Sequence, residues 1–163
     1  MESPPKASSL IVWRMTNFPD LSGRGGLIAS GRWHTRPRPI IYCADDAHTA
    51  YCEVIRQVGA AFLIPDDYKL LKISVPHYVK IQEVEGSNLD HDWIEDGSRG
   101  WNVCRPLGNA WLVDGDTAVL KVPSAARLGH HNFLLNPVHR SFDDINIEEV
   151  IDQPFPGFCT REE

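Results

Sequence analysis

Apolar residues in this chain arrive in short bursts rich in Val, Ile and Leu, none longer than five or six residues, each cut off by Gly, Pro, Asn or Asp. Bursts of that length suit buried β-strands and fall far short of the roughly 20 residues a helix needs to cross a bilayer. One stretch breaks the pattern. Ala47, Ala50, Tyr51, Val54, Ile55 and Val58 recur at the helical period of about 3.6. They predict a helix over 46–58, with Asp45 as its N-cap and Asp46 in its first turn. Strands are predicted at 10–15, 27–34, 40–44, 68–75, 79–84, 117–122, 132–135 and 143–150. A second helix is predicted at 101–112, interrupted at Pro106, and a polar loop at 86–97 with Trp93 as its anchor. Short strands at both ends around one clear helix suggest an α+β domain with a compact mixed sheet, not a doubly wound α/β sheet.

The 163 residues, 42% of them hydrophobic, are enough for one domain with a real core and too few for a two-domain enzyme. Residues 1–8, with Pro4, Pro5 and serines, read as a flexible tail, and 9–163 as the domain. That polar N-terminus has the makings of neither a signal peptide nor an anchor. Sixteen Lys plus Arg against 22 Asp plus Glu give a net charge of −6, which offers no attraction to nucleic-acid phosphates or anionic lipid. The cysteines at 43, 52, 104 and 159 form no CxxC pair and read as reduced residues of a cytoplasmic protein.

Familiar motifs fail in turn. The Gly23, Arg24, Gly25, Gly26 cluster has Ile28 where a dinucleotide-binding loop needs its third glycine, so it reads as a turn. The seven histidines make no HExxH, and His130 beside His131 cannot both face one ion from a regular element, so no metal is expected. Asp114 and Asp116 lack an EF-hand's closing Glu, and there is no GxSxG elbow. More informative are polar groups on apolar elements: Arg14 within the first strand, Arg32 before Trp33, Tyr42 after Ile40 and Ile41, and Glu53 beside the helical stripe. A charge entering a core must be paired, so an arginine bridging Glu53 as a structural ion pair stands beside a functional site as an explanation.

The order of residues resembles the RES domain, named for arginine, glutamate and serine, the toxin of a bacterial toxin–antitoxin pair. The likeness runs from Trp13 and Arg14 through Leu21, Ser22, Gly23, Gly25 and Gly26, then Ser30, Gly31, Arg32, Trp33, Ile41 and Tyr42. It continues through Ala50, Glu53 and Val54, then Gly108, Asn109, Trp111 and Leu112, and on to Val122, Pro123, Ser124, Asn132, Leu135, Asn136, Pro137 and His139. The chain departs from the pattern at His34, where many relatives carry Asn, and over Arg36 to Pro39.

The resemblance implies a fold similar to the ADP-ribosyltransferase toxins, with NAD as a substrate and no further cofactor. It also implies silencing by an Xre-like antitoxin, and self-association. By the same resemblance Glu53, Arg32 and Tyr42 would be catalytic, with Arg14, Arg32, Tyr42, Ser124 and Asn136 binding NAD. Cleavage of the nicotinamide–ribose bond passes through an oxocarbenium-like centre, which a helix-borne Glu53 carboxylate would stabilise. Arg14 and Arg32 would grip diphosphate or ribose with planar donors, and Tyr42 would stack on the nicotinamide. Ser124 and Asn136 would bond the carboxamide, the ribose or Glu53. Hydrolysis or phosphorolysis of NAD is the leading expectation. ADP-ribosylation of a protein acceptor and a non-catalytic, antitoxin-binding role are the alternatives.

Overall fold

The computed structural model describes residues 9–155; the tail expected over 1–8 and Cys159 lie outside the described residues. Seven strands form one sheet: β1 (Leu10–Thr16), β2 (Ile41–Ala44), β3 (Lys69–Val75), β4 (Ile81–Glu83), β5 (Val119–Pro123), β6 (His131–Leu135) and β7 (Asn146–Ile151), ordered β4-β5-β6-β2-β1-β3-β7. Only β4 and β5 run parallel; the other neighbours are antiparallel. This is the mixed-sheet α+β architecture that the short bursts imply. Alternation along β5 and β6 divides their side chains between two layers. Leu120, Val122 and Leu134 pack with Trp33, Cys104 and Trp111, while Val119, Phe133 and Leu135 join the core of Val12, Ile41, Leu71 and Ile73.

The sheet is weakest at its centre. β1 pairs with β3 along its whole length, yet meets β2 at a single register pair, Trp13 with Ala44. The strands part beyond that point, which leaves backbone groups that a continued ladder would have used. One of them, the Tyr42 carbonyl, accepts a hydrogen bond from Nη1 of Arg14 at 3.2 Å. A residue out of place in a buried strand thus stitches the gap between two half-sheets.

Helix α2 (Ala47–Val58) lies where its stripe predicts and buries Ala50 and Val54 against Met15, Ala44 and Leu70. Its cap is Asp46, which accepts from Thr49 N at 2.6 Å; Asp45 instead accepts from the His131 backbone, so the predicted cap is one residue early. The segment predicted as a strand at 27–34 is not one. A single helical turn, α1 (Gly25–Ile28), leads into irregular chain, with Leu27 and Ile28 exposed. Two apolar residues that reach no partner strand cannot hold an extended ladder, and the chain there is free to wrap a cavity. Helix α3 (Ser98–Asp114) runs through Pro106 without interruption. The penalty of about 3 kcal/mol for an interior proline is offset by burying Cys104 and Trp111. Gly108 makes that packing possible, because a Cβ there would stand 1.7 Å from the Trp33 carbonyl oxygen.

Candidate active site

A cavity of about 480 Å³ opens where β1 and β2 part, within the roughly 300–1,000 Å³ range of small-molecule pockets. β1 contributes Trp13 and Arg14, β2 contributes Tyr42, the 25–34 segment contributes Arg32 and His34, and α2 contributes Glu53 and Arg56. Four predicted site residues, Arg14, Arg32, Tyr42 and Glu53, therefore meet in one space. Ser124 reaches it through a contact, and Asn136 does not line it.

Glu53 sits between Ala50 and Val54 on the buried face of α2, so helical periodicity aims its carboxylate at the sheet. Ser124 Oγ donates to Glu53 Oε1 at 2.9 Å, and Asn132 on β6 lines the same cavity and lowers the carboxyl's proton affinity. Burial pushes the Glu53 carboxyl above its usual value, against the pull of these bonds and of the Arg56 and Arg32 charges. Ser124 is itself fixed by accepting from Arg127 N at 3.1 Å. The carboxylate thus stands on a rigid element, with a defined rotamer and a proton affinity set by the cavity.

None of the three cavity arginines, Arg14, Arg32 and Arg56, forms an ion pair with Glu53 among the described residues, so the structural bridge to Glu53 does not form. Arg32 Nη1 donates to the carbonyls of Trp93 at 2.6 Å and Glu95 at 3.0 Å, and Nη2 reaches Asp96 at 3.4 Å. With both Nη1 hydrogens spent, Arg32 offers a ligand its Nη2 and its charge. Asp96 also takes Arg56 Nη2 at 2.5 Å, and Arg56 donates to the Ala125 carbonyl, tying the 86–97 loop to α2 at the rim. Arg14 differs. Its side chain is half-buried with Nε shut off from solvent, it forms no ion pair among the described residues, and that Nε has no hydrogen-bond partner. Burial depresses its proton affinity, as for any cation removed from water.

The Tyr42 hydroxyl is turned away from ligand duty: it lies 2.7 Å from His34 Nδ1 and 3.2 Å from Trp33 N, and burial raises its pKa. With its hydroxyl so engaged, Tyr42 lines the cavity. Asn136 is buried in a turn, where its side chain accepts from Val138 N at 3.2 Å and its own N–H bonds the Ala118 carbonyl. The polar partner on that side is Asn132, which also donates to the Cys43 carbonyl at 3.1 Å. Sequence reasoning passed over Asn132 and Arg56. An Asn among Phe133, Leu134 and Leu135 on a buried strand was the available signal for the first. Arg56 carried none, being one of many helix-surface cations.

Outside the cavity, Asp45, Asp46 and His130 bring ligand atoms within 4.8 Å of one another. Their oxygens are engaged, Asp46 by Thr49 N and Arg127, and Asp45 by His131 N and His130. The arrangement is accounted for as the capping network of α2.

Known proteins place this geometry. The RES domain profile matches residues 11–156. The chain is 34% identical over 143 residues to Toxin Res of Pseudomonas putida, spanning 85% of this chain and 92% of that one. It is 31% identical over 133 residues to the Prs ADP-ribosylating toxin of a Sphingobium species, spanning 80% and 81%. Among solved structures, a chain of the M. tuberculosis MbcT-MbcA toxin–antitoxin complex superposes with a TM-score of 0.69 at 22% identity, covering 89% of this chain and 84% of that one, a likeness of fold. With a profile match over nearly the whole described chain and toxins aligned along most of their length, the protein belongs to the RES domain family.

Proposed function

We propose that the protein is a toxin that consumes NAD by cleaving its nicotinamide–ribose bond. The observation that carries this reading is the presence, in one cavity, of an arginine with a buried, unpartnered Nε and no ion pair among the described residues, and of a helix-borne carboxylate. A buried cation with an unpartnered Nε is a costly arrangement that an anionic ligand relieves. The diphosphate of NAD supplies that anion, and the ribose supplies the centre Glu53 would serve. As the carbon–nitrogen bond breaks, its electron pair leaves with nicotinamide and neutralises the pyridinium. The ribosyl carbon becomes oxocarbenium-like and is stabilised by the Glu53 carboxylate, and a water or phosphate oxygen adds to it with loss of a proton. Ser124 holds the carboxylate, and the Tyr42 ring orients the leaving group.

Transfer of the ADP-ribosyl group to a protein is the second reading, favoured by the relative named for ADP-ribosylation. An Xre-like antitoxin is the proposed partner, in keeping with the toxin–antitoxin title of the structural neighbour. The cytoplasm, which holds NAD and keeps thiols such as Cys43, Cys52 and Cys104 reduced, is the proposed compartment. No helix among the described residues is long and apolar enough to cross a membrane.

Incubating the folded, antitoxin-free protein with NAD, with and without phosphate, and identifying products by mass spectrometry tests the reading. Nicotinamide with ADP-ribose, or with its phosphate ester, is the expected outcome. Label transferred from NAD to a protein in a lysate, without free ADP-ribose, would favour the second reading. Intact NAD in every arm would overturn both.

A further inference from the structure

Two backbone groups around His34 can each bond in one direction only, and together they fix the ring's state. The Gly26 carbonyl, 3.1 Å from His34 Nε2, can only accept, so Nε2 carries the hydrogen. The Gly31 amide, which donates to the His34 carbonyl at 3.2 Å, also points at Nδ1 from 3.2 Å and cannot accept, so Nδ1 carries no hydrogen. The single Nδ1 lone pair is then taken chiefly by the Tyr42 hydroxyl, which donates to it at 2.7 Å while its oxygen accepts from Trp33 N at 3.2 Å. Gly31 closes the socket from the other side, because a Cβ there would stand 2.3 Å from the Tyr42 oxygen. The imidazole is fully buried, and both His34 and Tyr42 line the cavity.

We infer that His34, held as the neutral Nε2–H tautomer, is a positioning residue that anchors the Tyr42 hydroxyl so that Tyr42 serves the cavity with its ring face and not its hydroxyl. The inference rests on the NAD-cleaving reading of the cavity. His34 touches no reacting atom and acts through Tyr42. The irregular 25–34 segment gains a purpose from this arrangement: it brings the Trp33 amide and the His34 imidazole to one phenol oxygen and sets the Gly26 carbonyl behind the ring, which a straight strand could not do.

The test is a double-mutant cycle of nicotinamide release, combined with nitrogen NMR of the histidine ring. His34→Leu should lower kcat/KM about ten-fold, the worth of an ordinary buried hydrogen bond, and Tyr42→Phe by a similar factor. In the Tyr42→Phe background His34→Leu should cost less than about two-fold, because the hydroxyl it anchored is gone. His34→Asn, whose side-chain oxygen reaches the Nδ1 position, should restore most activity. The wild-type His34 should show a hydrogen on Nε2 and a bare Nδ1. Full additivity of the two losses, or a hydrogen on Nδ1, would overturn the inference while nicotinamide release by the wild type leaves the NAD reading standing. A folded wild type that releases no nicotinamide would overturn that reading and the inference with it.

Discussion

Glu53 and Arg14 show how single residues are held in this cavity at the expense of stability. The folded Glu53 keeps its proton to higher pH than the unfolded chain does, so between the usual value of 4.5 and the raised one the folded state binds more protons. Stability therefore falls as pH rises through that window. Glu53→Gln keeps an acceptor for Ser124 and removes the buried charge. Its Tm at neutral pH should equal or exceed that of the wild type, the difference closing below pH 4.5, where both side chains are neutral; calorimetry across pH checks this. If turnover needs the ionised carboxylate, as proposed, the acid limb of the kcat profile should lie above the ordinary Glu range. A limb at or below 4.5 would contradict the burial argument. Arg14→Leu should likewise leave the fold intact or firmer while abolishing NAD binding in titration calorimetry. Loss of stability instead would mean that its bond to the Tyr42 carbonyl outweighs the cost of its burial.

Elements were legible where one face is apolar and illegible where the tertiary structure overrides local pattern. The α2 stripe at 47, 50, 51, 54, 55 and 58 names both the helix and its buried face, and β1, β2, β3, β5 and β6 lie within two residues of their apolar bursts. The 25–34 segment misled because Leu27 and Ile28 look like strand residues yet find no partner. Pro106 misled because a local rule about interior prolines says nothing of Trp111 burying itself five residues on. In the cavity, Arg14, Arg32, Tyr42 and Glu53 were legible as charges or hydroxyls on apolar elements, whereas Asn136 lies in a turn outside the lining and Asn132 on β6 is within it. Two element-scale predictions follow from the packing. Gly108→Ala should destabilise by about 1–3 kcal/mol in urea unfolding, because α3 must back away from Trp33. Asp46→Ala should cost about 1 kcal/mol through the lost α2 cap; a Gly108→Ala variant as stable as the wild type would show that α3 adjusts freely.

At the scale of the whole molecule, a sheet parted between its two central strands holds a helix-borne carboxylate beside an unpaired cation, and the ligand completes the set. Binding to the folded state alone raises apparent stability, by about 2.7 kcal/mol at a hundred-fold excess over Kd. NAD should accordingly raise the Tm of Glu53→Gln, which binds without turning over, and leave that of Arg14→Leu unchanged. An antitoxin that covers the cavity mouth should compete with this shift. The most direct measurement is nicotinamide release from NAD by the antitoxin-free wild type and by Glu53→Gln, with both shown to be folded. The account predicts release by the wild type and a loss of about 10² to 10³-fold in kcat for the variant, the usual worth of a group that stabilises transition-state charge. Equal release by the two proteins, or none from a folded wild type, would contradict it.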